Sequence, residues 1–245
     1  MKLKSYAAKT NQGPYLQINE DTYDIDLVND LYMIFDGYGG SGIGDKCVSE
    51  LKDNIRTFYT KISSDSDSTM PFYYSSKYLI EGNALINAIH FSHKNLFKSN
   101  KKIDISKRAG SSIIAAAQSE NILTFIGSGN CLVYLYRHGD LTKIINEETI
   151  SIFTHNNQSS FLNSTPLSGI GLFEDIHLTT REVRIKDDDL FIMMTDGVFP
   201  RISNSELKII IEKTNQNIQA IIERCFDMAN ERGNLDNQSC VLLQY

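Results

Sequence analysis

The feature that most constrains the fold of this 245-residue chain is a series of short apolar or β-branched segments. Each segment is bounded by glycine, asparagine or aspartate, which is typical of strands that are buried on at least one face. Some neighbours, such as 122–126 and 131–136, lie only a few residues apart, and this spacing predicts hairpins and antiparallel pairing. The predicted strands are Leu31–Phe35, Ser112–Ala117, Ile122–Ile126, Cys131–Tyr136, Leu190–Thr195 and Ser239–Gln244.

Helices are predicted where apolar residues recur at three- and four-residue steps, most clearly at Val48, Leu51 and Ile55. Ser203 and Glu206 have the spacing of a capping box, which predicts a helix start in the last third of the chain. Strands, helices, more strands and more helices follow one another, which indicates an α+β fold with helices packed on sheets. The predicted helices cover 48–62, 79–97, 206–213 and 218–229.

Two polar segments are the best candidates for linkers. Ser63–Thr69 predicts a loop between two helices, and Thr154–Ser168 predicts a mobile surface segment. Neither segment separates two self-sufficient cores, so we expect one domain over residues 1–245. A hydrophobic content of 41% is enough for a sizeable core and argues against disorder over most of the chain.

The bulk properties exclude several classes of protein. A formal net charge of −6 gives no general attraction to nucleic acid or to an anionic membrane. No apolar run reaches the roughly 20 residues of a membrane span, and no secretory signal is recognisable at the start of the sequence. The cysteines are too far apart for a zinc site or a disulfide framework, so we expect a cytoplasmic protein. They are Cys47, Cys131, Cys225 and Cys240.

Acidic residues stand beside glycine or at the ends of predicted strands. Asp36 directly follows the strand Leu31–Phe35, and Asp196 directly follows the strand Leu190–Thr195. A carboxylate at the end of a buried strand is partly desolvated, and its charge is costly unless a cation or hydrogen-bond donors compensate it. Carboxylates that converge from distant parts of the chain make an oxygen-rich site suited to Mg²⁺ or Mn²⁺.

In their order and spacing, these acidic segments resemble the metal-dependent protein serine/threonine phosphatases of type 2C, the PPM family. The resemblance covers the chain from about Gly13 to Leu243 and implies a sandwich of two antiparallel β-sheets flanked by α-helices, in α-β-β-α layers. The matching segments are NEDTY (19–23), FDGYGG (35–40), RAGSSIIAA (108–116), IMMTDGVF (192–199) and LDNQSCVLL (235–243).

The resemblance implies an enzyme that hydrolyses phosphoserine and phosphothreonine in proteins and opposes a serine/threonine kinase. It implies two Mn²⁺ or Mg²⁺ ions that activate a water, with no phosphorylated enzyme as an intermediate. Asp36, Asp196 and Asp236 are the implied catalytic residues. The resemblance implies that Asp36 binds both ions. Asp196 and Asp236 would complete the first ion's site. Glu20 and the Gly37 carbonyl would bind the second ion, and Asp21 would contact it through a water.

The sequence departs from the family pattern at several positions. Leu16 stands where the family usually has an arginine that binds the substrate phosphate, and leucine offers no such donor. Asn130 and Pro200 stand where acids serve a third metal ion in some members. Tyr38 stands where many relatives have a histidine. A tyrosine could donate a proton to the leaving alkoxide, but a packing role or a role at the substrate edge is the favoured interpretation. These changes leave open the alternative that the chain is a catalytically weakened relative that acts as a regulatory binding module.

Other kinds of site receive less support from the sequence. The glycine-rich run 37–44 precedes a helix, as phosphate-binding loops do, but it lacks the Lys-Ser/Thr pair of a P-loop. His90 and His93 are spaced to share one face of a helix and could hold zinc, although packing positions are the favoured interpretation. An aspartyl nucleophile would need an acid two positions before Asp36, where the chain has Ile34.

Overall fold

The computed structural model describes residues 1–39, 42–64, 68–156, 159–214 and 217–245, and for 151–164 it describes the backbone alone. Gly40 of the glycine-rich run and residues 65–67 of the predicted loop Ser63–Thr69 lie outside this description. Residues 157–158 of the polar segment Thr154–Ser168 also lie outside it.

Most of the described strands belong to two five-stranded antiparallel sheets. Sheet A has the strand order β1-β12-β11-β6-β7, sheet B has the order β10-β5-β4-β3-β2, and β8 and β9 form a separate hairpin. The strands are β1 (Ser5–Asn11), β2 (Asp21–Asp26), β3 (Leu31–Tyr38), β4 (Gly110–Ser119), β5 (Ile122–Ser128), β6 (Leu132–Arg137), β7 (Asp140–Ile145), β8 (Thr149–Asn156), β9 (Ser159–Pro166), β10 (Thr179–Arg184), β11 (Leu190–Met194) and β12 (Gln238–Gln244).

All four predicted helices are present. The capping box that begins the third of them is formed by Ser203 and Glu206 as predicted. No helix within the described ranges is long and apolar enough to cross a membrane. The helices are α1 (Gly44–Ser63), α2 (Ile80–Asn100), α3 (Asn204–Lys213) and α4 (Ile218–Glu231).

Alternate side chains of each central strand point to different layers, because successive side chains of a strand lie on opposite faces. In β3, Met33 and Phe35 pack against α1 and α2, whereas Tyr32 and Ile34 pack between the two sheets. Helices α3 and α4 cover the outer face of sheet A, where Ile192 belongs to their core. The predicted α-β-β-α sandwich is therefore confirmed.

The strands that the sequence analysis did not assign are mostly edge strands. β1 and β7 are the two edges of sheet A, and β10 and β2 are the two edges of sheet B. An edge strand is only partly buried, so it needs no continuous apolar run. The segment Thr154–Ser168, predicted as a mobile surface segment, instead contributes to the hairpin of β8 and β9.

Candidate metal centre

Sheet B brings two of the predicted ligands side by side. Asp21 is the first residue of β2 and is paired with Asp36 of β3, whose other neighbour is Ser112 of β4. Ser111 Oγ donates a hydrogen bond of 3.1 Å to the Asp36 carbonyl. Ser111 and Ser112 therefore pack next to the acidic site.

Sheet A supplies two further acids at the same end of the sandwich. Asp196 lies two residues after the end of β11, and Asp236 lies two residues before the start of β12. Thr195 joins the two sheets, because its hydroxyl donates to Asp21 Oδ2 over 2.8 Å and accepts the backbone N–H of Ser239 over 2.9 Å. We call Glu20, Asp21, Asp36, Asp196 and Asp236 the acidic cluster.

Glu20 is held by three different parts of the chain. Its Oε1 accepts the Gly44 N–H at the start of α1 over 3.0 Å, and its carbonyl accepts the Gly37 N–H over 3.1 Å. Its own N–H donates to Asn237 Oδ1 over 2.8 Å. The start of α1 therefore interacts with a carboxylate, which disfavours the alternative of a phosphate-binding loop.

Glycine is required at two positions around Glu20. A Cβ atom at residue 37 would lie 2.5 Å from the Glu20 carbonyl oxygen and 2.6 Å from the Val48 side chain. A Cβ atom at residue 44 would lie 2.7 Å from the Glu20 carboxylate. The glycine-rich run thus lets the backbone approach the acidic cluster closely.

The acidic cluster opens into a cavity of about 640 Å³. Glu20, Asp36, Gly37, Asp196 and Asp236 all line it, so the structure brings five of the six predicted ligands to one cavity. Asp21 is not among the described residues of the lining. It is buried beside Asp36 and bonded to Thr195.

Burial and mutual repulsion make the ionised forms of these acids costly. Burial and the charges of Asp196, Asp21 and Asp236 raise the pKa of Asp36 well above its ordinary value. Burial also raises the pKa of Asp21 well above its ordinary value and, less strongly, the pKa values of Glu20 and Asp236. Bound cations would relieve both the desolvation and the repulsion.

The donor set fits a divalent cation. Asp36 Oδ2 is buried and has no hydrogen-bond partner in the part of the chain that the structure describes. An orphaned carboxylate oxygen among other carboxylates is a suitable ligand for Mn²⁺ or Mg²⁺. Nevertheless, no group of three or more His, Cys, Asp or Glu side chains in the described residues is already clustered tightly enough to hold an ion.

Asn130 interacts directly with the acidic cluster. Its Nδ2 donates a hydrogen bond of 2.6 Å to Asp196 Oδ2, and its backbone N–H donates to Ser112 Oγ over 3.1 Å. From the sequence, Asn130 is recognisable only as the replacement of a carboxylate, and its bond to Asp196 was not predicted. The positioning contacts of Thr195 and Asn237 were also missed, because their partners lie far away in the sequence.

Tyr38 packs beside the same cavity, as predicted. A Cβ atom at residue 110 would lie 2.5 Å from its ring, and one at residue 169 would lie 2.0 Å from its hydroxyl oxygen. The ring therefore occupies a slot between Gly110 and Gly169. Its hydroxyl is buried without a hydrogen-bond partner among the described residues.

His93 does not pair with His90 around a metal. Its Nδ1 accepts the Gly171 N–H over 3.1 Å, and its Nε2 lies 3.1 Å from the Glu174 carbonyl oxygen. A neutral ring with its proton on Nε2 satisfies both contacts. This geometry supports the interpretation of His93 as a packing residue that joins α2 to the segment 171–174.

Sequence comparison and structural comparison give different results. No protein-family model matches the sequence, and no curated protein is significantly similar to it. Among solved structures, the fold is similar to MsPP, a PPM Ser-Thr phosphatase from Mycobacterium smegmatis solved with cacodylate. The identity is 18%, the alignment covers 99% of each chain, and the TM-score is 0.74. The fold is that of the PPM-type phosphatases.

Other PPM-type structures give the same result. The catalytic domain of the serine/threonine phosphatase PstP, solved with two manganese ions, is 18% identical, with 98% of this chain and 97% of that chain covered and a TM-score of 0.70. PppA, described as a key regulatory component of T6SS in Pseudomonas aeruginosa, is 19% identical, with 99% of each chain covered and a TM-score of 0.75. The PPM-type fold thus occurs in proteins that are described either as phosphatases or as regulatory components.

Proposed function

We propose that this chain is a metal-dependent protein serine/threonine phosphatase that hydrolyses phosphoserine and phosphothreonine with two bound Mn²⁺ or Mg²⁺ ions. The observation that carries the proposal is the acidic cluster, in which carboxylates from both sheets meet at one cavity and Asp36 Oδ2 lacks a partner among the described residues. A serine/threonine kinase would supply the phosphorylated protein substrate.

The ligands are assigned from the resemblance and from the geometry of the cavity. Asp36 would contact both ions, because it is paired with Asp21 of the neighbouring strand and is near enough to Asp196 and Asp236 for their charges to raise its pKa. Asp196 and Asp236 would hold the first ion. Glu20 and the Gly37 carbonyl would hold the second. Asp21, which is not part of the described lining, would act through a water.

When bound, the ions would acidify a water molecule and neutralise charge on the phosphoryl oxygens. The protein's own contribution is the fixed arrangement of the ligands. Thr195 holds the Asp21 carboxylate, Asn130 holds Asp196, and Asn237 holds the backbone of Glu20. Catalysis would then depend mainly on positioning and electrostatics, since no side-chain nucleophile is needed.

A regulatory binding module with little turnover is the second candidate. It is favoured by the absence of any lysine or arginine from the described lining of the cavity, where Leu16 replaces the usual phosphate-binding arginine. The similarity to PppA, described as a regulatory component, is compatible with this alternative.

Hydrolysis of p-nitrophenyl phosphate and of a phosphothreonine peptide, in Mn²⁺ and in EDTA, separates the two candidates. We expect turnover only with metal, and a loss of roughly 100-fold or more in Asp196→Asn, because even an outer-shell substitution costs 10–100-fold. Asp188→Asn is the matched control, since this exposed carboxylate pairs only with the exposed Lys4 among described residues. Absence of turnover from folded wild-type protein at every Mn²⁺ concentration would overturn the phosphatase proposal and favour the binding module.

A further inference from the structure

The cavity of the acidic cluster is also lined by apolar side chains. We call Leu16, Ile105, Pro166, Leu172 and Phe173 the apolar wall, and all of them line the same cavity as the carboxylates. Leu16, Ile105 and Phe173 are 40%, 52% and 41% exposed, respectively. Large apolar side chains that are exposed together beside a polar site indicate a surface that binds another molecule.

The charges that line the cavity have a single sign. Among the described lining residues, Glu20, Asp36, Asp196 and Asp236 are acidic, and none is lysine, arginine or histidine. Bound cations would balance the carboxylates close to them. No basic side chain belongs to the described lining, and Arg108, which contacts the segment of Leu172 from outside it, directs its guanidinium to the carbonyls of Leu172 and Ile103.

Part of the apolar wall, the segment that carries Leu172 and Phe173, is held in place by contacts from α2. Asn100 Nδ2 donates to the Gly171 carbonyl over 2.9 Å and to the Ala109 carbonyl over 2.6 Å, while His93 contacts Gly171 and Glu174. The Arg108 guanidinium also donates to the Leu172 carbonyl. The backbone that carries Leu172 and Phe173 is therefore fixed before a ligand arrives, which lowers the entropic cost of binding.

We propose that the site selects phosphoserine or phosphothreonine residues whose neighbours in the substrate sequence have large apolar side chains, and that it discriminates against acidic neighbours. This inference rests on the proposed function. The phosphate would lie at the acidic cluster and its cations, and the neighbouring side chain would lie on the apolar wall. A leucine or phenylalanine there removes apolar surface from water. A glutamate there would be desolvated next to apolar side chains with no cationic partner in the described lining.

The test compares phosphothreonine peptides of equal length in which both neighbours are leucine, serine or glutamate. The full chain is assayed with saturating Mn²⁺, and kcat/KM is measured for each peptide by phosphate release. We expect the leucine peptide to exceed the serine peptide by about tenfold, the scale on which apolar pockets discriminate, and the glutamate peptide to be the poorest.

Variants of the apolar wall test whether these residues cause the preference for the leucine peptide. Phe173→Ser and Leu16→Ser are expected to lower the ratio of leucine-peptide to serine-peptide kcat/KM toward 1. Val28→Ser is the matched control, because Val28 is 90% exposed in the turn between β2 and β3, at the opposite end of β2 from Asp21. We expect it to keep the wild-type ratio. Circular dichroism verifies the folding of each variant.

The outcomes distinguish this proposal from the proposed function. Turnover of all three peptides at equal kcat/KM would overturn the selectivity while leaving the phosphatase intact. A leucine preference that survives in both Phe173→Ser and Leu16→Ser would overturn the role of the apolar wall. If no peptide is hydrolysed by folded wild-type protein, the proposed function fails, and the selectivity that rests on it fails with it.

Discussion

Asn130 Nδ2 lies 2.6 Å from Asp196 Oδ2 and donates a hydrogen bond to it. The bond places a neutral donor next to a carboxylate that we assign to the first metal ion. Gly129, directly before Asn130, has a φ of +90°, and a Cβ atom there would lie 2.3 Å from Ser112 Oγ. The turn between β5 and β6 is therefore tightly constrained, and it fixes the position of the Asn130 amide.

Asn130→Asp should make the stability of the protein depend more strongly on metal. The substitution removes a donor and adds a buried negative charge beside Asp196 and Asp36, which should cost about 1–3 kcal/mol without metal. Thermal unfolding in EDTA and in Mn²⁺ measures the effect. The difference in Tm between the two conditions should be larger in Asn130→Asp than in the wild type.

Asn130→Ala is the control for that experiment, since it removes the donor without adding a charge. Asn130→Ala should lower Tm in EDTA. Its increase in Tm on addition of Mn²⁺ should be smaller than that of Asn130→Asp. Equal metal-induced Tm shifts in all three proteins would show that residue 130 has no influence on the ions.

The metal-free protein should lose stability as the pH rises. Burial raises the native pKa values of Asp36, Asp21, Asp236 and Glu20, so the native state binds more protons than the unfolded state above about pH 4. The free energy of unfolding therefore decreases with pH through this window and should be lower at pH 7.5 than at pH 5. Urea unfolding of metal-free protein at both pH values measures the decrease.

Saturating Mn²⁺ provides the comparison for the pH experiment, because the cations bind the deprotonated carboxylates and should remove most of the decrease. His93 acts with and without metal, so the comparison between the two conditions isolates the acidic cluster. The same change in stability between pH 5 and 7.5 with and without Mn²⁺ would contradict the assignment of raised pKa values to the acidic cluster.

His93 should contribute stability that is lost in acid. Burial lowers the pKa of His93, so the unfolded state binds more protons than the native state below about pH 6.5. The contribution is complete above that pH and is lost as the pH falls, because a proton on Nδ1 would break the bond from Gly171. Urea unfolding in Mn²⁺ at pH 5.5 and 7.5 should show a smaller pH effect in His93→Gln than in the wild type. An unchanged pH effect in His93→Gln would contradict this prediction.

Leu16→Arg should raise catalytic efficiency. Leu16 lines the same cavity as Glu20 and Asp36, so a guanidinium in its place could donate two hydrogen bonds to a substrate phosphate. We expect kcat/KM for p-nitrophenyl phosphate to rise by about tenfold, the value of roughly one charge-assisted hydrogen bond. Leu16→Gln, which is polar but uncharged, should give no comparable rise. A rise of the same size in Leu16→Gln would show that charge is not the cause.

The sequence predicted the centre of the fold better than its edges. β3, β4 and β11 are buried on both faces, so their apolar runs are unbroken and easily recognised. β2 reads DTYDID, and one of its acids, Asp24, is buried and paired with Arg56 of α1. That pairing depends on the docking of α1 and has no signature in the strand itself.

In the candidate site, the metal ligands were easier to predict than the residues that position them. Its carboxylates were predictable because their order and spacing resemble the PPM family and because two of them, Asp36 and Asp196, follow predicted apolar strands. The residues that position the carboxylates were not predictable, since asparagine and threonine are common in loops and strands and carry no specific signal of a positioning role. Thr195 and Asn237 acquire their roles only when sheet A lies against sheet B and brings them to Asp21 and Glu20.

The hydrogen bond between Glu20 and Asn237 connects residues 217 positions apart. A ribosome completes β2 and β3 long before it has made Asn237, and until then the Glu20 N–H and the Asp21 carboxylate lack their partners from sheet A. Long-range contacts of this kind form late, because the intervening chain must first be ordered. A nascent chain could therefore pack α1 and α2 on sheet B while its ion-binding site is still incomplete, so the uptake of metal would be among the last events of biosynthesis.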